Sequence, residues 1–469
     1  MNARRIIRLL TLTALVLGGD TSAQNEKTAQ GKTGASDVPP LADYRSVADR
    51  LIRAATETDF AHKRLAELCD TFGPRFSGTT NLEAAIDWVL ARMKADGLEN
   101  VRGEEVLVPR WVRGVESFEL LEPARETLPM LGLGGSIGTP ASGLTAPVFV
   151  VQNFEDLGQR TNEARGKIVV FNAPFVGYGQ TVAYRNRGAS EAAKAGAVAG
   201  LVRSITPFSL QTPHTGMMVY DQAAPKVPSA AITVEDAEKL QRWQERGRTI
   251  VARLKMSAKF LDDAPSRNVI AEVAGREKPD EIVLVSGHID SWDVGRGAQD
   301  DGGGCLVAWE TVRLLHKLGL RPRRTVRVVL WTNEENGLRG AKQYVEKHRQ
   351  ELAKHVVAIE SDNGTFQPTG FAFAGNEKAK TTVQQIGSLL EGIRATKIIP
   401  GRGGADVEQL SAAGVAVMEL TVESSTYFWF HHTVADTVDK VNPQDLGRCA
   451  AALAVMAYVV ADLQEPLPR

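Results

Sequence analysis

The sequence predicts an α/β protein with a doubly wound, mostly parallel sheet and an inserted β-rich segment. In the second half of the chain, apolar runs typical of strands alternate with helical patterns. Such alternation is typical of a parallel sheet with helices on both faces. Between residues 122 and 262 the pattern changes to short apolar runs separated by Gly and Pro, such as LPMLGLGGSIGTP and GKIVVFNAP. Runs of that kind predict a compact β-rich unit.

The domain organisation follows from these two patterns. A chain of 469 residues is long enough for about two or three domains. Neither segment that flanks the β-rich unit looks complete alone, so the unit is interpreted as an insertion. We predict a main domain formed by residues 41–121 and 263–469, and an inserted domain formed by residues 122–262.

The N-terminus has the pattern of a secretory signal peptide. Three arginines precede an apolar run that ends near Leu17, and small residues follow up to Ala23, as in cleavable signals. We predict a signal peptide at residues 1–23, a polar, disordered leader at 24–40, and a mature protein that is secreted or periplasmic. The alternative of an uncleaved membrane anchor is disfavoured, because the apolar run is shorter than the roughly 20 residues that span a bilayer.

Charge and cysteine content narrow the class of protein. The formal net charge is −1, without the basic excess typical of nucleic-acid binding, so we expect no nucleic-acid partner. No segment after the signal reads as apolar enough to span a membrane, so we expect no membrane contact after cleavage.

Three cysteines, Cys69, Cys305 and Cys449, permit at most one internal disulfide. Cys69 could pair with Cys449, and buried free thiols are the alternative.

The first elements are helices. Apolar residues between 51 and 68 recur at helical spacing, and residues 82–93 (LEAAIDWVLARM) form an amphipathic pattern that ends towards Gly97. Residues 104–111 then alternate like a strand. Within the inserted unit, SEAAKAGAVA and VEDAEKLQRWQ predict helices among the strands.

The second half of the chain supplies the main sheet. Five apolar runs predict its strands: NVIAEV, EIVLVSG, TVRVVLW, HVVAIES and VAVMEL. The segments between and after them predict helices, one up to Leu318, one through Tyr344, one from Lys378 to Leu390, and a closing helix over 445–463.

Polar side chains stand at the ends of four of these strands. They are His288 and Asp290 after EIVLVSG, Asp300 and Asp301 at the following junction of loop and helix, Glu334 and Glu335 after VRVVLW, Asp362 after VVAIES, and His431 and His432 beyond VAVMEL. Because the carboxyl ends of strands in a doubly wound sheet share one crevice, we expect these side chains to lie close together.

Taken singly, these residues have ordinary explanations. An isolated Asp at a strand end serves as a helix N-cap, adjacent Glu residues form a solvated face, and His431 beside His432 is a polar break after aromatic residues. Together they indicate a metal site, because carboxylates mixed with imidazoles suit zinc or a similar divalent ion. A further carboxylate next to a ligand suits a general base that acts on water.

The chain resembles the zinc-dependent exopeptidases of the M28 family, most closely the carboxypeptidase Q (plasma glutamate carboxypeptidase) branch. The motifs that carry the resemblance are SGHIDSWDVGRGAQDDGGG, LWTNEENG, ESDNGTFQPTG and FHHTVADT, and it covers nearly all of the mature chain. It implies the zinc exopeptidase fold, hydrolysis of dipeptides or short peptides, and two zinc ions per chain.

The resemblance also implies the metal ligands. His288 and Asp362 would bind one zinc ion, Glu335 and His432 the other, and Asp300 would bridge both. Family members hold the peptide bond after the bridging Asp in the cis form. We therefore predict a non-proline cis bond between Asp300 and Asp301, a costly feature that functional sites tolerate.

Further roles come from the same resemblance. Glu334 would be the general base, and Asp290 would orient His288. His432 is preferred to His431 as a ligand, because residues 432–437 match the family's His-Thr-x-x-Asp-Thr pattern.

The inserted segment resembles the protease-associated domain found in this branch. Such a unit could cover the cleft and limit access to short peptides, or form a contact in a homodimer. Tyr427 and Arg402 lie in loops near the predicted crevice and are candidates for contact with the oxyanion or a substrate carboxylate. Core packing for Tyr427 and a solvated cation for Arg402 are the alternatives.

One stretch departs from the family pattern and leaves the direction of peptide cleavage open. Many M28 aminopeptidases have Ser-Asp-His before the last strand, whereas residues 404–407 read Gly-Ala-Asp-Val here, which favours the carboxypeptidase Q branch. The alternatives are an aminopeptidase of the same family, a receptor-like binding protein without catalysis, and a glutaminyl cyclase with one zinc. The ligand set together with Glu334 disfavours the non-catalytic alternative.

Overall fold

A computed structural model of the chain describes residues 42–468. The predicted signal peptide (1–23) and leader (24–40) lie outside the described residues. The helices are α1 Ala42–Thr56, α2 Phe60–Phe72, α3 Thr80–Ala95, α4 Phe154–Gln159, α5 Thr161–Ala164, α6 Tyr178–Thr181, α7 Ala183–Lys194, α8 Val234–Glu245, α9 Gly303–Lys317, α10 Arg339–Lys347, α11 Glu377–Gly387, α12 Glu408–Ser411 and α13 Pro443–Asp462.

The strands belong to two sheets. The strands are β1 Glu99–Val112, β2 Glu116–Glu122, β3 Glu126–Leu128, β4 Met130–Gly132, β5 Leu144–Val151, β6 Ile168–Phe171, β7 Ala199–Arg203, β8 Ser229–Ile232, β9 Val251–Met256, β10 Lys259–Val273, β11 Lys278–His288, β12 Arg324–Trp331, β13 His355–Glu360, β14 Pro368–Ala374, β15 Lys397–Pro400 and β16 Val417–Val422. An irregular turn spans Ala298–Gly302, in which Asp300 and Asp301 have non-helical backbone angles, and 3-10 turns span Leu352–Lys354, Ser388–Ile393, Tyr427–Trp429 and Val438–Lys440.

The main sheet has eight strands in the order β1-β10-β12-β11-β13-β16-β14-β15. Its centre, β12-β11-β13-β16, is parallel throughout, as the alternating pattern predicts. On either side, β10 and β14 pair antiparallel with this group, and β1 pairs antiparallel with β10. The sheet is therefore mixed: four of its seven pairings are parallel, since β14 and β15 also pair in parallel, and three are antiparallel. The short segments PTGFAFA and KIIP, which form β14 and β15, carry Gly or Pro and were not predicted as strands.

Helices cover both faces of the main sheet, as a doubly wound fold requires. In β11, Val283 and Val285 pack into a large core formed with α1, α2, α3, α9 and α13. Ile282 and Leu284, which alternate with them, pack into a second core on the opposite face with Tyr344 of α10. A strand buried on both faces reads as one continuous apolar run, which is why EIVLVSG was recognisable as a central strand.

The closing helix α13 corrects the expectation that no segment after the signal is apolar enough to span a membrane. Among the described residues it is long and apolar enough to span a membrane, and 83% of its most apolar window is buried inside the protein. Its N-terminus is capped by Asn442, whose side chain accepts from the main-chain N–H groups of Gln444 and Asp445, with Pro443 in the first turn. In this structure its apolar residues therefore belong to the core that covers one face of the sheet.

A second eight-stranded sheet, in the order β3-β2-β9-β5-β6-β7-β8-β4, spans residues 116–256. Its inner strands β5-β6-β7-β8 are parallel, and the outer pairings are antiparallel. The next strand, β10, belongs to the main sheet from Lys259 onward. The predicted inserted domain, 122–262, thus overlaps the segment that builds this sheet.

The three cysteines are buried free thiols. Cys305 donates to the carbonyl oxygen of His288 at 3.0 Å, and Cys449 donates to that of Phe366 at 3.1 Å. The disulfide between Cys69 and Cys449 is absent from the structure, and the alternative of free thiols is correct.

Candidate active site

The parallel strands at the centre of the main sheet end at nearly the same level. His288 is the last residue of β11 and lies opposite Trp331, the last residue of β12. Glu360 ends β13 and lies opposite Ser286 of β11. The loops that follow therefore begin at one edge of the sheet, and the polar residues of the four motifs collect there.

The first group of side chains forms around His288. Its Nε2 atom lies 3.2 Å from Oδ1 of Asp300 and 3.3 Å from Oδ1 of Asp362. The His288 side chain is only 1% exposed. One imidazole nitrogen from the end of β11 and two carboxylate oxygens from two other segments thus converge.

A second group forms around His432, and Asp300 takes part in it too. The Nε2 atom of His432 lies 3.1 Å from Oδ2 of Asp300 and 3.1 Å from Oε2 of Glu335. Asp300 therefore turns one oxygen towards His288 and the other towards His432. The five side chains predicted as ligands lie together, in two groups that share one carboxylate.

His431 lies beside the second group. Its ring stacks on that of His432 with centroids 3.5 Å apart, and its Nε2 atom is 3.4 Å from Oδ2 of Asp300. Burial and the neighbouring His432 hold the pKa of His431 well below its usual range. Glu335 contacts His432 and not His431, so the geometry favours His432 over His431, as the sequence pattern does.

The carboxylates of the site are buried, and some of their oxygen atoms have no hydrogen-bond partner in the described part of the chain. Oδ2 of Asp300 and Oε1 of Glu335 have no hydrogen-bond partner among the described residues. Burial and the nearby Asp300 carboxylate raise the pKa of Glu335 to about 7, and burial also raises the pKa of Asp362. Buried carboxylates normally have hydrogen bonds or a bound cation. Two imidazoles and three carboxylates form a donor set that fits zinc.

Asp290 contacts the site through both its main chain and its side chain. Nδ1 of His288 is 3.0 Å from the main-chain carbonyl oxygen of Asp290, whereas the Asp290 carboxylate is 3.7 Å from that nitrogen. The carboxylate instead accepts hydrogen bonds from the main-chain N–H groups of Glu334, at 3.0 Å, and Glu335, at 3.4 Å. Ser77 also donates to it, at 3.3 Å. Asp290 therefore orients His288 through its main chain and holds the 334–335 loop through its side chain.

The peptide bond between Asp300 and Asp301 is cis, as predicted. The Asp301 carboxylate accepts from the main-chain N–H groups of His288, at 2.9 Å, and Gly304, at 3.1 Å, and one of its oxygens lies within 4.8 Å of ligand atoms of His288 and Asp362. Gly304 is required by the close packing here, because a Cβ atom at that position would lie 1.8 Å from the carbonyl oxygen of Ser361.

The two groups open into a cavity of about 910 Å³. Glu334 lines it and is partly exposed, whereas Tyr427 lines it and is buried. Arg402 lies at its edge with a side chain that is 79% exposed and pairs with Glu408, its Nε atom 2.8 Å from a Glu408 oxygen. The geometry thus favours the solvated-cation alternative for Arg402.

Comparison with known proteins gives the family. The model of peptidase family M28 matches residues 268–457. Carboxypeptidase Q of Mus musculus is 48% identical over 432 residues, which cover 92% of each chain, and carboxypeptidase Q of Homo sapiens is 48% identical over 409 residues, 87% of each chain. The chain belongs to peptidase family M28. The crystal structure of an M28 peptidase precursor from Shewanella amazonensis superposes with a TM-score of 0.88 at 36% identity, covering 92% of this chain and 99% of that one.

Membership of family M28 makes the chain a zinc metallopeptidase of the exopeptidase type. The ligand-rich edge described above falls almost entirely within the matched residues 268–457. Most of the cavity wall lies in the same range, whereas Tyr178, Gly179, Arg185 and Met217 come from outside it.

Sequence reasoning missed the part of this wall that the second sheet supplies. Tyr178, Arg185 and Met217, all from residues 116–256, line the same cavity as Glu334 and His432. Thr215 from that segment also contacts the site, since its carbonyl oxygen is 3.3 Å from Nδ1 of His432 and its N–H donates to the His432 carbonyl at 3.0 Å. An arginine within a helical pattern carries no local signal for such a role, because its neighbours are set by the contact between distant segments.

Proposed function

We propose that this M28 peptidase is a dizinc exopeptidase that hydrolyses dipeptides or short peptides. The observation that most directly supports this proposal is that Asp300 presents separate oxygens to two histidine–carboxylate groups. His288 and Asp362 would hold one zinc ion, Glu335 and His432 the other, and Asp300 would bridge them. Bound zinc supplies polarisation of the scissile carbonyl and a lowered pKa for the attacking water.

Glu334 is proposed as the general base. Its main-chain N–H is fixed by the Asp290 carboxylate at 3.0 Å, while its side chain reaches the cavity next to the ligand Glu335. A carboxylate in that position takes a proton from water during attack and returns it to the leaving amine. Tyr427, in the wall beside His431, is proposed as a contact for the substrate.

The surroundings of the cavity support a preference for short substrates. Residues 122–262 are proposed to form a protease-associated domain inserted into a catalytic domain of 41–121 and 263–469. Tyr178 and Met217 from this segment line the cavity, which supports a role in covering it. We also propose that residues 1–23 direct export, so that the mature enzyme acts in the periplasm or outside the cell.

The test is a zinc count combined with hydrolysis assays on the purified mature protein. The proposal predicts two zinc ions per chain and release of amino acids from unblocked dipeptides, with activity lost when a chelator removes the metal. Peptides blocked at the amino or the carboxyl end report the direction of cleavage. A zinc-loaded protein that hydrolyses no peptide would support the receptor-like alternative and contradict the proposal.

A further inference from the structure

Arg185 is a buried cation in the wall of the active-site cavity. It lies on α7, in the segment that builds the second sheet, and is 7% exposed. It lines the cavity together with Glu334, Glu335 and His432. A positive side chain thus faces the space in which the substrate is proposed to bind.

Among the described residues, Arg185 lacks the carboxylate partner that buried Arg313 and Arg327 have, and, unlike fully buried Arg75, it is not surrounded by main-chain carbonyl acceptors. Within the described residues 42–468, no Asp or Glu oxygen lies within 4.0 Å of the Arg185 guanidinium. By contrast, Arg313 pairs with Glu310 and Arg327 pairs with Glu272, both at 2.6 Å. Burying a charge without a counter-charge is unfavourable, so a bound anion would stabilise Arg185.

The guanidinium is held in place but keeps hydrogen-bond donors free. Nη2 donates to the Tyr178 hydroxyl at 2.7 Å, and Nη1 is 3.4 Å from the Thr215 carbonyl oxygen. Nε is buried without a partner. Gly216 lets the main chain pack against the group, because a Cβ atom there would lie 2.3 Å from Nη1. A guanidinium has five N–H donors, and these contacts use only some of them.

The contact between Arg185 and His432 would use no N–H donor of Arg185 if His432 held zinc. Nη1 is 3.4 Å from Nδ1 of His432, but a neutral imidazole that offers Nε2 to a metal carries its proton on Nδ1. That proton is then donated to the Thr215 carbonyl, 3.3 Å away. Nη1 carries two N–H groups, so one remains for a ligand beside the one that donates to the Thr215 carbonyl.

We propose that Arg185 binds the C-terminal carboxylate of the peptide substrate and so directs the enzyme to the carboxyl end. This inference rests on the proposed function. The planar guanidinium matches a carboxylate with two parallel hydrogen bonds. Only the His432 ring separates Arg185 from the carboxylates of Asp300 and Glu335. Arg185, Asp300 and Glu335 line the same cavity, so one substrate could place its scissile carbonyl near the two carboxylates and its terminal carboxylate near Arg185.

The experiment compares a dipeptide with its C-terminal amide as substrates of the zinc-loaded enzyme. For Arg185→Met, kcat/KM on the free acid falls about 10- to 100-fold, mainly through KM, because a hydrogen-bonded charge pair is lost. On the amide it falls less than about threefold, so the preference of the wild type for the acid disappears. Arg185→Lys, which keeps the charge without the fork, is intermediate.

Two control variants separate this role from others. Arg203→Met removes a buried arginine of β7, which pairs with Glu238 at 3.2 Å, and leaves the preference unchanged. Arg402→Met removes the exposed arginine at the cavity edge and changes the preference less than Arg185→Met does. If Arg402→Met abolishes the preference instead, the assignment to Arg185 is overturned.

Other outcomes are equally informative. If Arg185→Met lowers kcat/KM equally on both substrates and loses zinc, Arg185 only supports His432 and the proposal is overturned, while the dizinc peptidase stands. A wild type that cleaves neither substrate contradicts the proposed function itself. Should Arg185→Met not fold, inhibition of the wild type decides: a free amino acid that inhibits at least about tenfold better than its amide supports the proposal, and equal inhibition overturns it.

Discussion

The carboxylate of Asp436 holds the main chain of Asp300: its Oδ2 atom accepts a hydrogen bond from the Asp300 N–H at 3.1 Å. Its other oxygen, Oδ1, accepts from the N–H of Gln299 at 2.8 Å. Asp436 is buried at 3% exposure. Since Asp300 is the residue that faces both histidine groups, Asp436 positions the proposed bridge without touching a metal.

Replacing Asp436 with Asn should weaken zinc binding. An amide has one oxygen, so one of the two N–H groups would lose its acceptor and the turn at Asp300 would shift. Partners that orient ligands typically contribute about 10- to 100-fold in metal affinity or activity. Competition with a chelator measures the zinc affinity, and Asp439→Asn, at an exposed carboxylate nearby, is the control. Equal affinities in the two variants would contradict this role.

Asp290→Asn should reduce kcat while zinc is retained. The main-chain carbonyl that contacts His288 is unchanged in this variant, whereas the carboxylate that holds the N–H groups of Glu334 and Glu335 is altered. We expect kcat to fall about 10- to 100-fold with a zinc content near that of the wild type. Loss of zinc with unchanged kcat per bound metal would instead mean that the carboxylate orients His288.

The sequence was sufficient for the centre of the fold and for the proposed ligands. β11 is apolar through Val285 and ends at His288, so both the strand and the side chain at its end were recognisable. His288, Glu335 and Asp362 lie together because neighbouring parallel strands place their carboxyl ends at one edge of the sheet. This rule can be applied to the sequence alone.

What the sequence did not predict depends on contacts between distant segments. Arg185 and Thr215 reach His432 from the second sheet, and no local pattern encodes that meeting. Asp290 was expected to orient His288, but no local pattern tells whether its carbonyl oxygen, 3.0 Å from Nδ1 of His288, or its carboxylate, 3.7 Å away, is the nearer group. The short strand β15, with only four residues and Pro400 at its end, lacks the apolar alternation by which strands are recognised.

Glu334→Gln should nearly abolish hydrolysis and leave zinc bound. The amide cannot accept a proton from water, and general-base catalysis contributes about 10²- to 10⁴-fold. Steady-state kinetics on a dipeptide, with a zinc count of the same sample, measure both effects. Glu377→Gln, at a side chain that is 87% exposed, should retain full activity. An active Glu334→Gln variant would exclude Glu334 as the base.

A pH-dependent contribution to stability is expected far from the cavity, at His348. Burial opposes its protonation, but hydrogen bonds to Glu104 and Glu351, each at 3.0 Å, raise its pKa above the usual value. Because the pKa of His348 is higher in the folded state, its pairing contributes fully to folding stability below the unfolded-state pKa of about 6.5. That contribution is lost as the pH rises through the folded-state pKa. His348→Gln should therefore lower the unfolding temperature more at pH 5.5 than at pH 9. A pH-independent effect would contradict the pairing.

The most direct measurement is anomalous scattering at the zinc edge from crystals of the zinc-loaded enzyme. A dizinc centre should give two peaks per chain, one beside His288 and Asp362 and one beside Glu335 and His432, with an oxygen of Asp300 next to each. A single peak, or a second peak away from these residues, would contradict the dizinc centre.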